Sequence, residues 1–299
     1  MNTNKRITNC ISCNSNKFFT VSNRGRDGIK LRIVICKRCS LLFLNPRASI
    51  QEYKEFYNSG KCSEIYRGSN KVKEKYVQNQ FRKGKNILNK ISPFLPSKID
   101  GVLEVGSTAG GILSYFRDRG YGPIQGIDPE KEYVKYAREV LKVDTMEGIF
   151  EEFKTNGKYS IIIMSHVLEH IVDPISALKH ARELLASDGI IYLEVPNLYS
   201  ISFRSSNNWF YDFVPEHIYV FTPRVIEKIV KRIGLTILKN HPQNNYRHHI
   251  CLVLGHSNSS KVNLPKPDNW FYLFIRGWLY NLFMPFRRFY FLFRMKVKL

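Results

Sequence analysis

At 299 residues with 43% hydrophobic and 13% aromatic content, the chain can fill one sizeable core plus a small satellite domain, and it is too apolar to be disordered. The formal charge of +21 is uneven: residues 1–98 carry +16, residues 99–269 carry −1, and residues 270–299 carry +6. A neutral middle between basic ends points to an anionic partner: a nucleotide-sugar diphosphate, an anionic membrane or a nucleic acid, with a merely solvated basic surface as the plain alternative. No apolar stretch follows Met1–Arg6 and no run of about 18 apolar residues exists, so neither a signal peptide nor a spanning helix is expected. The expected location is cytoplasmic.

The six cysteines fall as two close pairs plus Cys62 and Cys251. Cys10-x-x-Cys13 and Cys36-x-x-Cys39 have the spacing of two zinc knuckles, with strands predicted at Phe18–Val21 and Leu31–Ile35 between them. Residues 1–48 therefore read as a zinc ribbon whose four thiolates close the metal shell, a structural role. The residue after each second cysteine often takes positive φ; Asn14 tolerates it better than Ser40. Leu41–Leu44 forms a further strand. Residues 49–98 read as a helical linker: a short helix over 50–58 with Tyr53, Phe56 and Tyr57 on its apolar side, a looser stretch, and an amphipathic helix from Lys71 to Ile91 weakened by Gly84.

From residue 99 to 255 strands and helices alternate, the pattern of a parallel sheet covered on both faces. Val102–Val105 runs into Gly106-Ser107-Thr108-Ala109-Gly110-Gly111, followed by a helical pattern at Ile112, Leu113 and Phe116. That is a strand–turn–helix at which backbone amides approach a ligand. Glu104, two residues before the first glycine, suits a ligand with a positive head, such as the amino group of S-adenosylmethionine (SAM), and argues against a dinucleotide-dependent oxidoreductase. The next strand, Ile124–Ile127, ends at Asp128, an acceptor for ribose hydroxyls. A helix over 130–142, a short strand near Val143 and a buried strand Tyr159–Met164 follow. After Ser165–Pro174 comes a helix that is expected to end at Asp188-Gly189, and then a strand from Ile190 to Val195. Residues 198–222 break the periodicity and read as a substrate loop. A helix from Pro223 to Gly234 and strands near 235–239 and 250–254 complete the sheet. Residues 256–299 form an aromatic and basic tail.

With these residues in view, the chain resembles class I SAM-dependent methyltransferases, and more narrowly the bacterial group with an N-terminal zinc ribbon that includes sugar C-methyltransferases and polysaccharide-cluster methyltransferases. The resemblance rests on the two knuckles with Leu42–Arg47, on Leu103-Glu104-Val105-Gly106 with Gly110, on His166–His170 with Asp173-Pro174, and on Glu216-His217 with Phe221-Thr222-Pro223. It implies a Rossmann-like α/β fold with helices on both faces. Glu104, Gly106, Ser107 and Gly110 would hold the methionine end, Asp128 the ribose, the region around Gly148-Ile149 the adenine, and Ser165 and His166 would face cofactor or substrate. The glycine turn departs from Gly-x-Gly-x-Gly at Thr108, which tilts the acceptor toward sugars.

Methyl transfer needs a base for the acceptor proton, and histidine has the matching pKa. His217 beside Glu216 is the first candidate and His166 the second. His170 is expected to be a packing or helix-surface residue, Glu169 a brace for the turn, and His248-His249, without a carboxylate neighbour in sequence, no metal site. The expected acceptor is a nucleotide-linked deoxysugar or a lipid-linked surface glycan. The alternatives are O-methylation of a quinone-like or other small molecule, or an RNA methyltransferase guided by the ribbon; nucleic acid is disfavoured because the ribbon lacks an aromatic stripe. The tail, with Trp270–Ile275 and five basic residues beyond Arg276, is expected to dock on the inner face of a membrane, or else to pack on the catalytic domain or a twin subunit.

Overall fold

The computed structural model describes residues 5–26, 29–69, 71–198, 214–241 and 249–256. Residues 199–213 of the expected substrate loop, and residues 257–299 of the tail, lie outside the described residues.

The ribbon is a hairpin, β1 (Phe18–Arg24) and β2 (Lys30–Cys36), with β3 (Leu42–Leu44) paired antiparallel to β2. Asn14 and Ser40 both take positive φ, 57° and 64°, after the second cysteine of each knuckle. Two helices follow, α1 (Ile50–Asn58) and α2 (Lys61–Arg67). A capping box at Ser49 and Glu52 starts α1. Where a loose stretch is expected from sequence, Gly60 and Gly68, both left-handed, bracket α2.

The third helix, α3 (Glu74–Ile91), is unbroken at Gly84. A Cβ there would meet the Tyr115 Cβ at 2.9 Å, so the glycine permits close packing on α4 (Gly111–Arg117) instead of weakening the helix. The main sheet starts with β4 (Val102–Val105), β5 (Ile124–Asp128), α5 (Lys131–Glu139), β6 (Asp144–Glu147) and β7 (Tyr159–Ser165). Next comes α6 (Pro174–Leu184), started by the Asp173 cap, and then β8 (Leu185–Pro196). The helix ends four residues before the expected stop. Leu185 is buried and pairs with Tyr159, and Gly189 lies against the Tyr159 carbonyl, where a Cβ would come within 2.9 Å, so these residues extend the strand.

The described residues are completed by β9 (Tyr219–Val220), α7 (Pro223–Arg232), β10 (Leu235–Asn240) and β11 (His249–His256). Among the described residues the main sheet has seven strands in the order β10-β11-β8-β7-β4-β5-β6, parallel throughout except for β11, which is antiparallel to both its neighbours. The two-residue β9 belongs to the other sheet: it pairs antiparallel with β3, Leu42 opposite Val220 and Phe43 opposite Tyr219.

Alternation along the strands gives each sheet two faces. Leu103, Val105, Ile162 and Met164 pack with α6 and α7 on one side, in a core that also takes Val34, Leu41 and Phe43 of the ribbon. Val102, Ile161, Ile163 and Tyr192 pack under α3 and α4 on the other. The second ribbon face, Ile33, Ile35, Leu42, Leu44 and Val220, forms its own small cluster. The ribbon thus shares the main core. No helix among the described residues is long and apolar enough to cross a membrane.

Candidate active site

A cavity of ≈ 320 Å³ opens at the carboxyl ends of β4 to β7. One half is backbone-rich. Gly106 turns the chain after β4 at φ 72°, and Thr108 also adopts positive φ, 45°, an uncommon state for a β-branched residue. Neighbours hold it there: the Tyr76 hydroxyl and the Gln80 amide donate to the Thr108 hydroxyl, and the Thr108 N–H donates to Asp128 Oδ2 at 2.8 Å. Asp128 Oδ1 accepts from the Glu130 N–H, also at 2.8 Å. Gly106, Thr108, Asp128, Gly148 and Ile149 all line this half.

Other residues expected to hold a cofactor lie behind it. Glu104 is 2% exposed, and its Oε2 has no hydrogen-bond partner among the described residues. Burial pushes its carboxyl well above the usual range, against the pull of Lys83. An orphaned buried acceptor under a glycine turn fits a ligand ammonium. Ser107 is fully buried against Gly126, and Gly110, at φ 79°, packs on Ala137 and Val143. These two shape the turn and do not line the cavity. The Ser165 hydroxyl donates to Glu194 Oε2 at 2.6 Å.

The other half is assembled from distant segments. His166, His170, Glu216 and His217 line it with Tyr53 and Tyr57 of α1. Tyr57 and His170 share a hydrogen bond of 2.9 Å between the hydroxyl and Nδ1, so of the two roles expected, packing or helix surface, His170 takes the packed one, in the cavity wall. The reason is local: Leu168–His170 is a single 3-10 turn at the end of β7 that presents its side chain to the cavity. His170 and His217 rings stand edge to face with centroids 4.6 Å apart. Glu169, fully buried, brings its carboxylate within 4.8 Å of ring nitrogens of both. It also braces the turn, since its carbonyl accepts from the Ile218 N–H at 2.9 Å. Burial alone would raise the Glu169 carboxyl, but His166, His170 and His217 draw it down to about 2. Burial drives His170 down to about 3, with His217 adding to the shift.

The strand pairing explains how residues 214–220 are placed. The Leu44 N–H donates to the Ile218 carbonyl at 3.0 Å, and the Tyr53 hydroxyl donates to the Pro215 carbonyl at 2.8 Å. Arg47, 6% exposed, donates to the Val172 carbonyl at 2.8 Å and to the Tyr219 hydroxyl. Away from the cavity, the four cysteine sulfurs lie within 4.8 Å of one another, with Cys10–Cys39 at 3.6 Å and Cys13–Cys36 at 3.5 Å. That is close to the spacing of a tetrahedral thiolate shell.

Three residues carry more than their sequence context suggests. Glu169 and His170 sit inside a motif already noticed, but their partner His217 is 47 residues on, and only the fold joins them. The carboxylate that His249 lacks in sequence comes from across the sheet, where Glu194 Oε1 is 3.4 Å from its Nδ1.

The sheet order and the cavity over its carboxyl ends define the fold of class I, SAM-dependent methyltransferases. Residues 76–240 match the family described as "Methyltransferase domain", and the chain belongs to it. Among solved structures, a Burkholderia thailandensis 1,6-didemethyltoxoflavin-N1-methyltransferase shares the fold at TM-score 0.54 and 16% identity, over 79% of this chain and 100% of that one. The plantazolicin methyltransferase BpumL does so at TM-score 0.51 and 14% identity, over 70% and 99%. Among curated proteins, a ubiquinone biosynthesis O-methyltransferase of Actinobacillus pleuropneumoniae is 32% identical over 107 residues, 32% of this chain and 45% of the relative. C-methyltransferase NovU of Streptomyces niveus is 28% identical over 147 residues, 48% of this chain and 34% of the relative. The chain spans less than half the length of both curated relatives.

Proposed function

We propose that the chain transfers a methyl group from SAM to a small-molecule acceptor in the cavity, with His217 taking the acceptor proton. The observation that carries this is the meeting, in one cavity, of the glycine-turn half with the His217–His170–Glu169 group. SAM, when bound, supplies an electrophilic methyl carried on a sulfonium. Glu104 would take its ammonium, Asp128 its ribose hydroxyls and Ile149 the adenine. His217 holds the acceptor proton as the new bond forms, Glu169 stabilises the resulting imidazolium, and Glu216 and His166 line the same space. The four cysteines would hold a structural zinc ion.

The acceptor proposed is a sugar, nucleotide- or lipid-linked, on the strength of the Gly106-Ser107-x-x-Gly110 turn and the ribbon. A second reading, O-methylation of a phenolic or quinone-like molecule, is favoured by the aromatic wall of Tyr53, Tyr57 and Phe150 and by the ubiquinone-pathway relatives. Product mass after incubation with SAM and each acceptor class separates the two. His217→Ala is expected to keep SAM affinity by calorimetry and to lose turnover by roughly 10²–10⁴-fold. Unchanged turnover removes the base assignment. For the tail we keep the membrane-surface reading, which liposome flotation with and without residues 270–299 tests.

A further inference from the structure

Beside the cavity, at the carboxyl edge of β7 and β8, a second cluster surrounds Glu194, which is 5% exposed. Its two carboxylate oxygens have different company. Oε2 accepts from the Ser165 hydroxyl at 2.6 Å and from the Tyr192 hydroxyl at 3.3 Å, and Lys83 Nζ stands 3.8 Å from it. Oε1 faces His249 Nδ1 at 3.4 Å and His166 Nε2 at 3.8 Å, with Cys251 Sγ at 3.6 Å. The two imidazoles meet edge to face, centroids 4.4 Å apart. Donor atoms of His166, Glu194 and His249 all lie within 4.8 Å of one another. We infer that these three side chains form a binding site for a divalent transition-metal ion, distinct from the four cysteines.

The fold brings the donors together across three segments. Cys251 is opposite Glu194 in the β11–β8 register, so His249, two residues away, projects from the same face one step toward the sheet edge. His166 leaves β7 at φ 57°, and its N–H donates to the Glu194 carbonyl at 2.8 Å, which ties two of the three residues through the backbone.

The chemistry of the set is selective. Two imidazole nitrogens and one carboxylate oxygen suit the manganese-to-zinc series, whereas magnesium and calcium prefer all-oxygen shells. The surroundings match those of metal ligands. His166 Nδ1, its second nitrogen, lies 3.3 Å from Glu169 Oε1, within ion-pair distance of a buried carboxylate, the kind of neighbour that metal-ligating histidines commonly have. Ser165 and Tyr192 fix the non-facing oxygen of Glu194. Lys83 approaches Glu194 from the Oε2 side, while Oε1 faces the two imidazoles and the Cys251 thiol. Three protein ligands leave a position open, and His166 also lines the cavity, so the ion would sit at the cavity wall.

The test is metal binding by the full chain with its cysteines already zinc-loaded, using Co²⁺ alone as the probe. One further Co²⁺ per chain is expected, with the weak visible bands of nitrogen and oxygen ligands and without the intense charge-transfer absorption of thiolate ligation. Glu194→Gln and His249→Ala should each weaken binding by more than 10-fold, and Glu169→Gln, which acts through His166, by about 10–100-fold. If Glu194→Gln does not fold, His249→Ala decides, because His249 is 24% exposed at its side chain. No Co²⁺ uptake, uptake with thiolate spectra, or equal affinity in wild type and folded variants would leave only an ion-paired network and overturn the site. None of these readings depends on methyl transfer.

Discussion

The two halves of the cavity are made by different means. The cofactor half comes from one stretch of about 50 residues, in which each strand ends and its turn delivers a backbone group or a carboxylate: Gly106, Asp128, Gly148 and Ile149. The half we assign to the acceptor draws on α1, on the turn after β7 and on residues 214–217, which lead directly into Ile218–Val220, the segment paired with the ribbon. Damage to the cofactor half should therefore act on affinity for SAM, and damage to the ribbon on turnover. That division gives the comparison its predictive content.

The largest effect is expected from the zinc site proposed at the four cysteines. If they hold zinc, removing it, or Cys36→Ser, should unfold the ribbon and release β9 from β3. Structural zinc sites contribute on the order of 10 kcal/mol in peptides. Turnover should fall by about 10²-fold or more, as misplacement of a reacting group by about 1 Å does, with a smaller loss of SAM affinity because the ribbon also packs in the core with β4 and β5. Chelation followed by metal analysis, calorimetry and assay reads all three. Equal loss of affinity and turnover would break the division between the halves.

Asp128→Ala tests the other half. It removes an acceptor that joins Thr108 N–H to Glu130 N–H, so SAM affinity should drop by about 10-fold or more, equivalent to ~1.4 kcal/mol, with turnover at saturating SAM less affected. Calorimetry showing the same affinity as wild type would remove the ribose assignment.

A smaller effect concerns pH. Folded His170 is held down to about 3, so between there and its ordinary value near 6.5 the unfolded chain binds a proton that the folded chain does not. Stability then rises with pH across that window and falls as pH drops below about 6.5, by about 2 kcal/mol at pH 5. Thermal melts of His170→Phe should show a flatter acid limb than wild type. Parallel limbs would assign the acid sensitivity to other groups.

What could be read from sequence follows the same divide. The strands of the main sheet announce themselves, because a strand buried on both faces is a continuous apolar run, as at Tyr159–Met164. The glycine turn and Asp128 are local features, and local features are legible. Glu169 and His170 looked like turn bracing and packing because their partner is remote in sequence. His249 looked isolated because Glu194 reaches it only through antiparallel pairing. Gly84 looked like a weak point because its effect on the helix is local, while its use against Tyr115 is tertiary. Leu185–Gly189 read as helix since the apolar spacing did not reveal that Leu185 pairs with Tyr159.

The shortness of β9 sets a limit on how this protein can diverge. Side chains in a strand alternate between faces, so one residue gained or lost between Glu216 and Tyr219 would exchange the positions of Tyr219 and Val220. The tyrosine would leave Arg47 and Val172 for the apolar cluster of Ile33, Leu42 and Leu44, and a valine would face a buried guanidinium. Descendants with new acceptors should therefore vary in the identity of residues 214–217 while keeping their number, and accept changes in length only before Val214.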